Sequence, residues 1–172
     1  MDLARCIGMS IALVRRCVSG RSPGDIFVQF VTANGATIPA LGFGTYGMPR
    51  SDMLRMIPAA LNAGVRHFDT AQIYRNEAEV GECVAASGLK RKDVFLTTKV
   101  WVANYPDRAF AASLDQSLRK LRTDYIDLLP LHWPSDATPL AEQIADLNAA
   151  VQAGKARHIG SSTSTGRLWL KL

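Results

Sequence analysis

Four residues whose side chains could carry proton chemistry occur at regular intervals along the chain. Asp69, Lys99 and His132 each stand at the C-terminal end of a predicted β-strand, and Tyr74 follows Asp69 by five residues. In a parallel α/β barrel the C-terminal strand ends meet at one face, where active sites are built. The positions therefore predict that these four side chains share one site.

The chemistry that such a set suits is assisted general-acid catalysis. A free tyrosine has a pKa near 10, so it is too weak an acid to protonate an alkoxide efficiently at neutral pH. An ammonium such as that of Lys99 favours the phenolate form of a neighbouring tyrosine, and Asp69 would be the counter-ion of a buried lysine. His132 would hydrogen-bond the substrate oxygen and orient it. Together these groups suit proton delivery to a carbonyl while a cofactor delivers a hydride.

Each residue has an ordinary alternative role when it is taken alone. An aspartate at a strand end often caps a helix or loop, a tyrosine often packs half-buried, and a lysine can extend its ammonium to water. A histidine can be a hydrogen-bonded core residue. The joint placement of the four favours a catalytic set, whereas we interpret His67 and His158 as structural because no such pattern surrounds them.

Alternating strands and helices must position these residues. The turn sequence Asn34-Gly35 between two β-like runs predicts an N-terminal hairpin. The predicted parallel strands cover residues 41–45, 65–70, 94–100, 126–132 and 156–161. The predicted helices are 51–63 with Ser51 as its cap, 77–87, 107–121, and one that runs from the cap Thr138 to the stop Gly154.

The third and fourth predicted helices each have one apolar face. The third presents Phe110, Leu114, Leu118 and Leu121, and the fourth presents Leu140, Ile144, Leu147 and Val151.

Five strand–helix alternations, with strands apolar on both faces, indicate a parallel α/β sheet. Periodicity alone leaves a doubly wound sheet and a barrel open. However, the turn at residues 42–44 lacks the third glycine of a dinucleotide-binding G-x-G-x-x-G turn, which disfavours a Rossmann site.

Five stretches of the sequence resemble, in order, signature segments of the aldo-keto reductases. They are LGFGTY at 41–46, FDTAQIY at 68–74, TKVW at 98–101, LHWP at 131–134 and GKARHIG at 154–160. The resemblance covers roughly residues 28–162. It implies an incomplete (β/α)₈ TIM barrel of about five parallel strands with helices, preceded by the hairpin. It also implies an oxidoreductase that reduces aldehydes or ketones to alcohols with hydride from NADPH.

The same resemblance implies a role for each site residue. Tyr74 would be the proton donor, Lys99 and Asp69 its tuning pair, and His132 the group that orients the carbonyl. The implied cofactor-binding residues are Gly44, Thr45, Asp69 and Ser162. The implied substrate-binding residues are Tyr46, Trp101, His132 and Trp133, and the partner is a small carbonyl compound.

Three features depart from a complete member of that family. We interpret residues 1–27 as a disordered or spurious extension, in preference to a targeting peptide, and residues 163–172 as a tail that does not resemble the family. Five strands fall short of eight, and Pro130 lies inside a predicted strand, where its missing N–H costs a ladder hydrogen bond. We therefore expect a truncated reductase with weak cofactor binding and little turnover. The alternatives are an inactive barrel fragment and a non-catalytic NADPH-binding subunit that needs a partner chain.

The composition argues against several other classes of protein. Of the 172 residues, 48% are hydrophobic and 20% charged, and the net charge of +5 comes from scattered basic residues without an aromatic-lined basic stripe, which disfavours nucleic-acid binding. The three cysteines lack metal-ligand spacing, so no metal site is predicted and a reducing cytoplasm is favoured. No apolar run approaches the roughly 18 residues of a membrane span. Nothing in the sequence indicates an oligomeric state.

Overall fold

The computed structural model describes residues 29–106, 109–133 and 135–161. It opens with an antiparallel hairpin of β1 (Phe30–Ala33) and β2 (Ala36–Pro39). Asn34 and Gly35 both have positive φ, 46° and 79°, as a primed two-residue turn requires. Ile38 and its neighbour Ala36 pack on Phe95 at the start of a later strand, so the hairpin covers one end of the sheet.

The rest of the described chain builds one parallel five-stranded sheet with its helices. Its strands are β3 (Gly42–Gly44), β4 (His67–Asp69), β5 (Phe95–Thr97), β6 (Ile126–Leu131) and β7 (Ala156–Ser161). They lie side by side in chain order, and every neighbouring pair is parallel. A doubly wound sheet reverses its strand order at a switch point. The sequential order instead matches the winding of an incomplete barrel, which confirms the predicted fold class.

Four helices lie in the connections between these strands. They are α1 (Arg50–Asn62), α2 (Glu77–Ala86), α3 (Ala109–Leu121) and α4 (Leu140–Gln152). Short 3₁₀ turns occur at Gln72–Tyr74, Arg91–Asp93 and Val102–Asn104. In the described part of the chain, no helix is long and apolar enough to cross a membrane.

The two predicted helix caps are wrong. Neither Ser51 nor Thr138 caps a helix, because α1 begins directly after Pro49 and α4 directly after Pro139, without a side-chain cap at either start. A proline is tolerated at a helix start because the N–H that it lacks would have no partner within the helix.

The core lies between the outer face of the sheet and the helices. The predicted face of α3 is buried throughout. On α4 the prediction is wrong at one end, because Val151 is exposed and the buried positions include Gln143 and Ala150. The Gln143 amide turns inward and donates to two carbonyl oxygens of the preceding loop, at 2.8 and 2.6 Å, so the buried stripe shifts by one residue.

Pro130 interrupts the pairing of β5 with β6, as its missing N–H predicts. The register pairs Thr97 with Leu128, and the next bridge joins Val100 to Leu131. The Pro130 carbonyl still accepts the Val100 N–H at 3.1 Å. The ladder therefore resumes immediately before the residues that follow β6.

Candidate active site

The Asp69 and Lys99 side chains form an ion pair at the C-terminal edge of the sheet. Asp69 is the last residue of β4, and Lys99 stands two residues beyond β5. The Lys99 ammonium contacts Asp69 Oδ1 and donates to the Thr70 carbonyl oxygen at 3.2 Å. The lysine side chain is 10% exposed and the aspartate side chain 35% exposed. A nearly buried cation is thus held between two acceptors, with its counter-ion open to the mouth of the sheet.

Tyr74 lies beside this ion pair on the loop that leaves β4. Its ring centre is 5.3 Å from Lys99 Nζ. The 3₁₀ turn that carries it is held to the segment that follows β5, because the Gln72 backbone N–H donates to the Lys99 carbonyl oxygen at 3.2 Å. Arg75 ends the turn in the left-handed region with φ 58°. The backbone therefore places the phenol next to the ammonium.

His132 completes the set from the loop after β6. The backbone N–H of His132 donates to the Val100 carbonyl oxygen at 3.1 Å, which continues the β5–β6 ladder past the strands. The imidazole meets the Tyr74 ring nearly at a right angle, with 5.6 Å between the centroids. Burial lowers the pKa of His132, the Lys99 ammonium lowers it further, and the Asp69 carboxylate opposes both. The ring is accordingly a neutral hydrogen-bonding group at neutral pH.

Three aromatic side chains predicted to bind substrate surround Tyr74 and His132. Tyr46 lies edge-on to Tyr74 with 5.1 Å between ring centres, and Trp101 lies edge-on to His132 at 5.3 Å. Trp133 stacks nearly parallel to the imidazole at 6.3 Å. Tyr46 is 80% exposed and Trp133 50% exposed. These rings form an apolar wall that is open to solvent in front of the phenol and the imidazole.

The residues predicted to bind a cofactor are placed less uniformly. Gly44 is exposed, and a Cβ added there would meet nothing within 4 Å, so the backbone offers open space at the mouth. Thr45 is fully buried, and its hydroxyl donates to the Asp69 carbonyl oxygen at 3.2 Å. The Thr45 side chain thus joins β3 to β4, away from solvent. Ser162 lies outside the described residues.

Asn76 supports the site and was not predicted. Its Nδ2 donates to the Thr45 carbonyl oxygen at 2.8 Å, and its Oδ1 accepts from the Thr70 hydroxyl at 2.9 Å. The residue precedes α2, where an asparagine ordinarily caps the helix, yet its side chain makes no cap hydrogen bond. An Asn immediately after the Tyr74 loop was the available signal, but its sequence position suggests a cap.

The remaining histidines and possible metal ligands do not join this site. His67 Nε2 lies 3.0 Å from the Thr97 hydroxyl, and the ring packs edge-on against Phe95. His158 pairs with Leu128 in the β6–β7 register, away from the mouth. Among the described residues, no group of three or more His, Cys, Asp or Glu side chains could hold a metal ion.

Comparisons with known proteins agree on one family. The profile of the Aldo/keto reductase family matches residues 40–168. Methylglyoxal reductase DkgB of Salmonella typhi is 44% identical over 131 residues, which are 75% of this chain and 49% of that protein. The glycerol 2-dehydrogenase (NADP(+)) of Saccharomyces cerevisiae is 44% identical over 105 residues, 61% of this chain and 33% of that protein.

Solved structures give the same result. The crystal structure of a putative 2,5-diketo-D-gluconic acid reductase B superimposes with a TM-score of 0.82 at 57% identity, over 84% of this chain and 52% of that one. An aldo/keto reductase from Brucella melitensis superimposes with a TM-score of 0.79 at 36% identity, over 85% of this chain and 58% of that one. The chain spans about half the length of methylglyoxal reductase DkgB. The family profile, the superposition of the fold and the proximity of the four predicted site residues all agree. The chain therefore belongs to the aldo/keto reductase family, a family of oxidoreductase enzymes.

Proposed function

We propose that this site reduces aldehyde or ketone substrates to alcohols with hydride from NADPH. The observation that carries the proposal is the Lys99 ammonium, held by Asp69 on one side and 5.3 Å from the Tyr74 ring centre on the other. Relatives that the chain resembles are named as methylglyoxal and aldehyde reductases. The glycerol 2-dehydrogenase relative is named with NADP(+), which supports the choice of cofactor.

The mouth of the sheet fits the nicotinamide end of such a cofactor. The open space at Gly44 admits a flat ring against the backbone. Asp69 pairs with Gly44 in the β3–β4 register, and its partly exposed carboxylate is an acceptor at the same edge. Ser162, at the next position after β7, is proposed as a further polar contact. When bound, NADPH supplies the hydride that adds to the carbonyl carbon.

The protein's own residues supply the proton and the orientation. The substrate oxygen would lie between the Tyr74 hydroxyl and the His132 ring, since the two rings meet edge to face. As the carbonyl oxygen gains negative charge, Tyr74 transfers its proton to it. The Lys99 ammonium stabilises the resulting phenolate, because an opposite charge favours the ionised form. The neutral His132 holds the oxygen by hydrogen bonding, so net proton transfer comes from the phenol.

The aromatic wall contacts the carbonyl substrate in this proposal. Tyr46, Trp101 and Trp133 face the reacting position with apolar surface and offer space that is open on one side. We also propose that the protein acts in the cytoplasm, on the basis of its cysteine usage.

A second candidate follows from the open edges of the sheet. Within the described residues, β3 and β7 are edge strands with a neighbour on one side each. Unpaired parallel edges are pairing sites for further strands. In this candidate the chain is an inactive barrel fragment or a non-catalytic NADPH-binding subunit that needs a partner chain.

The test measures NADPH oxidation in the presence of methylglyoxal and a set of aldehydes. The reaction is monitored by the near-ultraviolet absorbance of NADPH, with protein in excess over substrate. Tyr74→Phe should lower the rate by about 10²–10⁴-fold, the usual contribution of a positioned general acid. The matched control is Tyr125→Phe, which removes a hydroxyl at the opposite, N-terminal end of β6 and should leave the rate unchanged. Unchanged reduction by Tyr74→Phe would refute the proposal, and NADPH binding without reduction by the parent would favour the second candidate.

A further inference from the structure

Two polar side chains outside the catalytic set fasten the loop that carries Trp101. We call residues 101–105, which follow β5, the mouth loop. The Gln72 Oε1 accepts the Trp101 N–H at 2.9 Å and the Asn104 Nδ2 at 2.8 Å. The Gln72 Nε2 donates to the hydroxyls of Ser113 and Ser117 on α3, at 3.1 Å each. A carboxamide has two acceptor and two donor positions, so this side chain is fully satisfied.

Tyr105 fastens the other end of the mouth loop. It is 2% exposed, and its hydroxyl lies 2.9 Å from the Trp133 carbonyl oxygen and 3.3 Å from the Val100 carbonyl oxygen. Burial raises the pKa of Tyr105 to about 12, so the phenol remains a donor throughout the working pH range. One hydroxyl thus links the loop after β5 to the loop after β6.

The two anchors determine where the aromatic wall stands. Trp101 contacts the His132 ring edge-on at 5.3 Å, and Trp133 stacks on the same ring. The backbone of Trp101 is held by Gln72, and the backbone of Trp133 is held by Tyr105. Displacement of either backbone would change the width of the space in front of His132.

We propose that Gln72 and Tyr105 are positioning residues that fix the mouth loop and thereby set which carbonyl substrates fit the site. The specificity part of this inference rests on the proposed reductase function. The side-chain carboxamide of Gln72 contacts the mouth loop and α3 and makes no contact with the Asp69–Lys99 ion pair. Loss of the amide should therefore alter KM and selectivity for bulky substrates more than kcat for small ones.

The loop itself is tested by fluorescence, which does not depend on activity. The chain has three tryptophans, so Trp133→Phe with Trp169→Phe leaves Trp101 as the only one. In that background, Gln72→Leu and Tyr105→Phe should raise acrylamide quenching of Trp101, because losing one or two hydrogen bonds raises the population of displaced loop by about fivefold to tenfold. Tyr105→Phe keeps the ring in the core and is the second variant should Gln72→Leu fail to fold.

Ser113→Ala is the matched control for Gln72. It removes one partner on α3 and leaves both acceptor contacts to the mouth loop in place. If Gln72 acts only by packing against α3, Ser113→Ala will reproduce the effect of Gln72→Leu, and the positioning role is refuted. Quenching that is unchanged in both Gln72→Leu and Tyr105→Phe would refute it equally.

Selectivity is measured in the protein with its native tryptophans. The ratio of kcat/KM for a bulky aromatic aldehyde to that for methylglyoxal should change by about tenfold in Gln72→Leu, the scale of discrimination that pocket contacts provide. A constant ratio together with raised quenching would overturn the specificity part. Absence of reduction by the parent protein would refute the proposed function and the specificity part with it, whereas the quenching result would still decide the positioning of the loop.

Discussion

Helices α2 and α3 approach each other closely at Gly81, and replacing this glycine with alanine should destabilise the fold. A Cβ built at this position of α2 would lie 2.3 Å from the Lys120 carbonyl oxygen and 2.7 Å from the Leu121 Cα on α3. These are backbone atoms, so they cannot rotate away and the two helices must separate. Overpacking of a close-packed core costs about 1–3 kcal/mol, and a clash with rigid backbone lies at the upper end of that range.

The same substitution also stabilises the helix, and this contribution must be subtracted from the cost of the clash. Alanine is better than glycine in a helix interior by about 1 kcal/mol. The expected net loss in the free energy of unfolding is therefore about 2 kcal/mol. Urea unfolding followed by far-ultraviolet circular dichroism measures it, and Gly160→Ala is the matched control. The nearest neighbour of a Cβ at Gly160 would be Leu128 Cδ1 at 3.9 Å, an ordinary contact. If Gly81→Ala proves as stable as the parent, the packing of α2 on α3 described above is wrong.

Three further perturbations test other parts of the molecule. Asp127→Ala breaks the buried ion pair with Arg91 at 2.7 Å and removes the acceptor of the Leu96 N–H, so it should cost about 3 kcal/mol in urea unfolding. Removal of Asp52, whose side chain is 46% exposed and paired with Arg55, should cost less than about 1 kcal/mol. Asn76→Ala leaves the Thr45 carbonyl and the Thr70 hydroxyl without that partner and should cost about 2 kcal/mol, against little change for the exposed Asn62→Ala. Burial lowers the pKa of both His67 and His132 below the ordinary 6.5, so the unfolded chain takes up protons first as the pH falls. The stability that these neutral rings contribute is present above about pH 6.5 and is lost below it. The urea concentration at the unfolding midpoint should therefore decrease as the pH is lowered from about 7.5 to 5.5. A midpoint that stays constant over this range would contradict the burial of the two rings.

The proximity of Asp69, Lys99, Tyr74 and His132 could be predicted because it depends on regular geometry. Asp69, Lys99 and His132 follow consecutive parallel strands, and parallel strands deliver their C-terminal residues to one edge whatever the details of packing. Strand positions are read from apolar runs, which the parallel sheet requires on both faces. Tyr74 was found from the same strand end and from its surrounding motif.

The residues that support the site could not be predicted in the same way. Gln72 and Asn76 act through side-chain directions set by an irregular loop, and the sequence pattern contains no period that encodes them. Thr45 is predicted to bind the cofactor, and its buried hydroxyl hydrogen-bonds to Asn76 Oδ1 and to the Asp69 carbonyl oxygen, a direction that the sequence pattern does not encode. The two cap predictions failed for a related reason, because a proline start competes with Ser or Thr capping and only the backbone path decides between them.

In the proposed mechanism, the Lys99 ammonium makes Tyr74 the acid that protonates the substrate. The most direct measurement is the pH dependence of the single-turnover rate of carbonyl reduction in the parent and in Lys99→Met. Loss of the ammonium should move the alkaline fall of the rate upward by about one pH unit or more and lower the plateau by about 10²-fold or more, because the neighbouring charge no longer favours the phenolate. Lys155→Met, which removes an ammonium paired with Asp115 on α3, should leave the profile in place. An alkaline limb and a plateau that are identical in the parent and Lys99→Met would contradict this role of Lys99.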